Sequence, residues 1–187
     1  MLPAICALLL ATAIGQPAGP PVDLTGRARD PLAADPHTRV TVLVFVRTDC
    51  PLANQGAPEV ERVRRTYEPE GVRMWLVYLD RAQASDEVAR HRREYGLNAT
   101  AILDAGHELV RRSGVHVTPE AAVYVHHGAE PRLVYRGPID DRVVALGKQK
   151  PRPTTFYLRD AVAAALADQT LPLVARPAVG CEIADLR

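Results

Sequence analysis

The stretch that most limits what this chain can become is Val40–Val46 followed by Arg47-Thr48-Asp49-Cys50-Pro51-Leu52-Ala53-Asn54. Six of the seven residues from Val40 to Val46 are Val, Thr or Phe, the composition of a buried strand. Past Cys50-Pro51 the pattern becomes helical, with Ala57, Val60 and Val63 on one side and Glu59, Arg62, Arg64 and Arg65 on the others. Strand, Cys-Pro, helix sets a thiol where a helix begins. Unpaired N–H groups and the helix dipole there favour its ionised form. A thiolate attacks disulfides and peroxides and binds soft metals.

At 187 residues the chain has room for one domain and short extras, and 47% hydrophobic content supplies a core. Its 23 basic and 22 acidic side chains nearly cancel, and no basic stripe is interleaved with aromatics. That argues against nucleic acid as a partner. The first fourteen residues carry no charged side chain. Ala4–Ile14 is apolar but too short to cross a bilayer. With small residues up to Gly15, residues 1–15 read as a signal peptide and the protein as secreted or periplasmic, although a basic n-region is missing. Cys6 goes with that leader, leaving Cys50 and Cys181, an even pair compatible with a disulfide in an exported protein.

Residues 16–22 read as a Pro/Gly/Ala-rich linker and residues 23–169 as the domain. Asp23–Gly26 suits a short edge hairpin. The first helix runs to about Tyr67; Pro58 fits its first turn but would kink a helix that begins at Cys50. Val72–Leu79 is a second strand, Ser85 starts a helix that stops at Gly96, and Ala101–Leu103 is a third strand. A short helix over His107–Arg112 ends at Gly114. Ala121–His126 and Arg132–Arg136 form a hairpin. Lys148–Pro153 reads as irregular. Thr154 or Thr155 is the expected cap of a last helix whose apolar face is Leu158, Ala161, Val162, Ala165 and Leu166. An extended tail over residues 170–187 carries Cys181. Alternating strands and helices closed by a hairpin and a helix give a three-layer α/β fold with a mixed central sheet.

This order, with Val117-Thr118-Pro119 leading into the hairpin, resembles the thioredoxin fold over about Asp23 to Asp168. Cys50-Pro51-Leu52-Ala53-Asn54, Ala57-Pro58-Glu59, Val117-Thr118-Pro119-Glu120, Tyr135–Asp141 and Gly180-Cys181 are similar to exported bacterial redoxins, thiol–disulfide and peroxiredoxin-like proteins. The resemblance implies a cis bond before Pro119, and a wall built by Pro51, Thr118 and Pro119 that binds substrate opposite Cys50. It also implies thiol–disulfide exchange or peroxide reduction, with a thiol/disulfide protein or peroxide as substrate and a separate electron donor; it implies no cofactor. An X-Pro turn of that kind leaves the preceding backbone free to pair with an extended partner. Two departures stand out. The second cysteine of a Cys-x-x-Cys pair is replaced by Ala53. The Thr/Ser three residues before a peroxidatic cysteine, and the Pro seven before, are Arg47 and Leu43 here.

If Cys50 is redox-active, Cys181 is the candidate resolving thiol of the mature chain. The 13 residues from Asp168 to Cys181 span up to roughly 43 Å extended. A domain of this size is roughly 30–40 Å across. The pair reads as catalytic, as a structural disulfide or as two unrelated thiols. The class-level alternative is a non-catalytic module that binds a protein or copper. Of the six histidines, His116 lies nearest Thr118-Pro119, but a histidine with no ligand role is the simpler reading, and no metal site is expected. Arg47 would favour the Cys50 thiolate only if it faced the sulfur. Asp140, Asp141 and Arg136 suit a substrate groove, or a solvated connector.

Overall fold

The computed structural model describes residues 19–79, 85–128, 130–167 and 172–184. The leader expected over residues 1–15 and the first part of the linker lie outside the described residues. Strand β1 is Val22–Asp23 and β2 is Val40–Val46. Helix α1 is Pro51–Tyr67, β3 is Val72–Tyr78 and α2 is Ser85–Glu94. Then come β4, Thr100–Leu103; α3, Glu108–Ser113; β5, Val117–Thr118; β6, Glu120–Val125; and β7, Arg132–Gly137. β8 (Val143–Ala145) and β9 (Lys148–Gln149) precede α4 (Tyr157–Leu166), and the tail adds β10, Val174–Ala175, and β11, Cys181–Glu182.

The main sheet has the order β1-β4-β3-β2-β6-β7-β10. β2 lies at its centre, parallel to β3 and antiparallel to β6, and every one of its residues is buried. That is why it lacks polar alternation: both faces are covered. Val40, Val42, Val44 and Val46 face one layer, with Ala57, Val60 and Val63 of α1, Val88 of α2 and Leu158 and Val162 of α4. Leu43 and Phe45 face the other, with Leu109 and Val110 of α3, Leu32 and the tail residue Ile183. The period of two along β2 thus builds a three-layer molecule. Buried Glu59 of α1 accepts a hydrogen bond from Arg159 of α4 at 2.6 Å and pairs also with Arg62, which ties the two helices together.

Three local expectations change. Pro58 lies inside α1, in the second turn, so the helix runs through a position whose missing N–H removes one backbone bond. Lys148–Pro153 is not wholly irregular, because Lys148–Gln149 returns along Val143–Ala145 as a hairpin. The α4 cap position is Phe156. Thr154 is held instead by Asp141, which accepts its N–H at 2.7 Å and its hydroxyl at 2.6 Å; long-range bonding has displaced the local cap.

Candidate active site

Cys50 is the residue immediately before α1, with extended backbone (φ −90, ψ 106), and Pro51 occupies the first helical position. Proline is at home there because its N–H would be unpaired anyway, and its ring fixes the φ the helix needs. Behind Cys50, the central strand β2 anchors the turn in the core. The thiol is completely buried and donates to the Thr118 carbonyl at 3.1 Å. The Thr118-Pro119 peptide bond is cis. Glu120, itself buried, holds the approach to that bond: its Oε2 accepts the His116 N–H at 2.8 Å and the Val117 N–H at 3.4 Å.

The tail completes the site. β11 pairs antiparallel with β5, Cys181 opposite Thr118 and Glu182 opposite Val117. The Ile183 N–H donates to the His116 carbonyl at 3.0 Å and the Ile183 side chain is buried. Gly180 lies so close to the Thr118 carbonyl that an added Cβ would overlap its oxygen. Two cysteines 131 positions apart in the chain therefore meet over one residue, and their side chains are in hydrogen-bonding contact. Both are free thiols, Cys50 buried and Cys181 partly exposed.

The shared site splits their acidities. Burial pushes the Cys50 thiol up, but hydrogen bonding with the Cys181 and Thr118 side chains and with the Ala53 and Cys181 backbones outweighs it, and the pKa lies below the ordinary thiol value. Burial raises Cys181, and the neighbouring Cys50 raises it further, to about 11. The Arg47 guanidinium is bound to Asp49, Nη2 to Oδ2 at 2.9 Å, and its positive charge favours ionisation of Cys181.

Two surfaces flank the thiols. A cavity of about 310 Å³ is lined by Leu52, Gly56, Pro119, Ile139 and Asp140, and by Val179 of the tail. Asp141 also lines it while bonding Lys150 and Thr154. Arg136 is absent from the lining; it reaches the Gly114 carbonyl and approaches Glu120 at 3.9 Å. On the opposite side of the Cys50 turn, Asn54 donates to the Thr48 carbonyl at 3.2 Å and bonds His91 Nε2 at 2.7 Å. His91 Nδ1 meets the Tyr78 hydroxyl at 2.9 Å. Burial lowers the His91 pKa against the opposing pull of Glu94 and Glu87, so the ring that anchors this chain stays neutral.

Of the residues singled out from sequence, Cys50, Cys181, Thr118 and Pro119 come together, with Pro51 exposed at their edge. The Val117–Thr118 backbone, expected to be open to an extended partner, is occupied by β11. Among the described residues, no group of three or more His, Cys, Asp or Glu is placed to hold a metal ion, so Cys50, Cys181 and His116 do not assemble the copper ligand set. Sequence reasoning gave no role to Glu120, His91 or Gly180, although Glu120 and Gly180 stand in the segments that resemble redoxins. A lone carboxylate opening an apolar strand is a signal for Glu120. For His91 the signal is its spacing of three from Val88, which puts both on the inward face of α2.

Comparison with solved structures gives a consistent fold. A hypothetical protein from Sinorhizobium meliloti 1021 superposes with a TM-score of 0.65 at 22% identity, over 79% of this chain and 80% of that one. An uncharacterised conserved protein from Geobacillus kaustophilus gives 0.65 at 23% identity, over 78% and 76%. A putative thioredoxin from Neisseria meningitidis gives 0.54 at 17% identity, over 79% and 87%. At such identities the likeness concerns the fold, which is thioredoxin-like as the element order suggested. No curated protein matches the sequence. The sequence profile of the Redoxin family matches residues 15–142, well over half of the chain, and includes both Cys50-Pro51 and Thr118-Pro119. This chain belongs to the Redoxin family.

Proposed function

We propose that the protein is a thiol–disulfide redox protein whose working unit is a reversible disulfide between Cys50 and Cys181. The observation that carries this reading is the seating of Cys181 opposite Thr118, the residue whose carbonyl accepts the Cys50 thiol. Oxidation joins the two sulfurs and releases two electrons and two protons to the acceptor; reduction reverses it. Cys50 is the sulfur suited to bear charge, since the first turn of α1 and the Cys181 N–H face it. Leu52, Pro119, Ile139 and Val179 contribute apolar surface to the adjoining cavity, where a partner's side chain has room.

Thiol–disulfide exchange fits better than peroxide reduction. Arg47 and Leu43 stand where a peroxidatic site would carry its hydroxyl and its proline, and Cys50 is covered. One structural relative, a secreted disulfide oxidoreductase of Mycobacterium tuberculosis, supports the reading at the level of fold, with a TM-score of 0.50 at 19% identity, over 79% of this chain and 92% of that one. Protein thiols are the partners this suggests. Ala4–Ile14 supports work outside the cytoplasm. Among the described residues no helix is long and apolar enough to cross a membrane.

Intact mass after alkylation, with and without prior reductant, tests the pairing. The oxidised protein is expected to take up two fewer alkyl groups at Cys50 and Cys181. Free thiols at both positions in the oxidised protein overturn the proposal. A stoichiometric sulfenate at Cys50 on peroxide treatment would move the activity to peroxide reduction.

A further inference from the structure

The two sulfurs differ in access as sharply as in acidity. Cys50 has no exposed surface, and the Thr118 carbonyl and the Cys181 thiol are among the groups that bond it. Cys181 keeps part of its surface open. Attack on a disulfide runs along the line of the two sulfurs and needs one of them to be reachable, and it goes faster when the sulfur left behind is the more acidic. Both requirements select the same direction.

We propose that Cys181 is the sulfur through which the oxidised protein meets its thiol partner, and that β11 is the element that keeps Cys50 out of reach. The inference rests on the Cys50–Cys181 disulfide argued above. A partner thiolate attacks Cys181 Sγ. The new bond joins partner sulfur to Cys181, the Cys181–Cys50 bond breaks, and its electron pair leaves on Cys50 as the thiolate. A second partner thiolate then attacks the first partner's sulfur. It forms the partner disulfide and releases Cys181, which takes a proton from water. Two partner thiols have lost two electrons and the protein has gained them.

The tail is built to present this sulfur and shield the other. Gly180 permits contact with the Thr118 carbonyl that no side-chain-bearing residue would allow. Two residues of strand pairing set Cys181 and Glu182 against Thr118 and Val117. Ile183 plugs the end of the segment into the core layer with Leu43 and Phe45. The position that an extended polypeptide would take on the β5 edge is filled by the chain itself, so a polypeptide reaching for Cys50 must displace β11 first.

The oxidised full chain is treated with excess glutathione, quenched in acid at short times, and mapped by peptide mass spectrometry. Intact mass before glutathione is added first establishes the internal disulfide; its absence overturns the pairing and this inference together. With the disulfide present, the mixed disulfide is expected on Cys181 in at least about tenfold excess over Cys50. Equal labelling, or labelling mainly on Cys50, overturns the inference and leaves the pairing intact. In Gly180→Ala, whose added methyl forces β11 off the Thr118 carbonyl, glutathione is expected on Cys50 as well. A Gly180→Ala protein still labelled only on Cys181 shows that β11 does not shield Cys50, and overturns that part. Ile183→Ala, which loosens the same segment without touching either sulfur's neighbours in sequence on the β5 side, is expected to move the labelling in the same direction. An unchanged distribution in both variants counts against the shield.

Discussion

Cys50 and Cys181 sit within hydrogen-bonding contact, yet opposite kinds of structure hold them. Cys50 follows a seven-residue strand buried on both faces and heads a 17-residue helix. Cys181 rides on a two-residue strand whose core anchor is Ile183. The first sulfur is fixed by a large part of the core, the second by a two-residue strand pairing and one buried side chain. Their chemistry divides the same way. The fixed sulfur is surrounded by N–H donors and favours the thiolate. The lightly anchored one, burial and the neighbouring sulfur both opposing its ionisation, stays protonated up to about 11. For the proposed redox pair, this difference between a firmly anchored, more acidic sulfur and a lightly anchored, less acidic one is what would set a direction.

The largest effect should come from removing either sulfur. Cys50→Ser and Cys181→Ser each eliminate the internal disulfide, and insulin or small-disulfide turnover is expected to fall by at least about 100-fold in both. If Cys181→Ser keeps wild-type turnover, the two regions do not form one unit and the comparison breaks.

Next comes stability, which separates the regions rather than joining them. Phe45→Ala, in the middle of β2, is expected to cost about 3–5 kcal/mol in denaturant unfolding. Ile183→Ala should cost the global transition under about 1 kcal/mol, because the tail can detach as a local unit. It should instead accelerate hydrogen exchange at the Ile183 N–H, which donates to His116. Equal losses would show that β11 is part of the cooperative core.

A smaller stability effect is expected on the polar side of the Cys50 turn. His91→Leu leaves the Tyr78 hydroxyl and Asn54 without their shared partner, and a cost of about 1–3 kcal/mol follows. The readout specific to the site is the Cys50 pKa, which should rise if this chain steadies the turn and stay put if its role is structural only.

The smallest and most diagnostic effect is the pH dependence of the reduced protein. Cys50 is lowered in the fold, so its contribution is present above the unfolded thiol pKa of about 8.5 and is lost as pH falls through the folded value. Cys181 is raised to about 11, so its contribution is present below about 8.5 and is lost as pH rises through about 11. The stability of the reduced protein should therefore peak near pH 8.5 as far as these groups decide it, and thiolate absorbance should rise in two steps, the second near 11. The oxidised protein should lack both slopes. A single step for two thiols would mean the sulfurs do not interact.

Much of this was legible in the chain. Val40–Val46 announces a doubly covered strand because strand burial is written in consecutive apolar residues. Cys50-Pro51 announces a helix start because proline suits only certain positions. Thr118-Pro119 could be paired with them through resemblance. The tail was legible only as reach: distance along an extended chain allows Cys181 to arrive at Cys50 but does not choose it. The Thr154 cap was misplaced because Thr154 bonds Asp141, thirteen residues earlier, a partner that no local capping preference encodes. Pro58 and the β8–β9 hairpin are local features, and there the proline-rich composition outweighed the pattern in the reading.

By itself, then, the sequence determined a central buried strand, a thiol at a helix N-terminus and the alternation that makes a three-layer sheet, because these follow from periodicity and backbone sterics over short windows. Tertiary structure alone decided that β11 lies on β5, that Gly180 lets it approach the Thr118 carbonyl, and that one sulfur ends up covered while the other faces out. Those outcomes come from which surfaces remain unpaired once the core has closed, a property of the whole fold that no stretch of the chain carries.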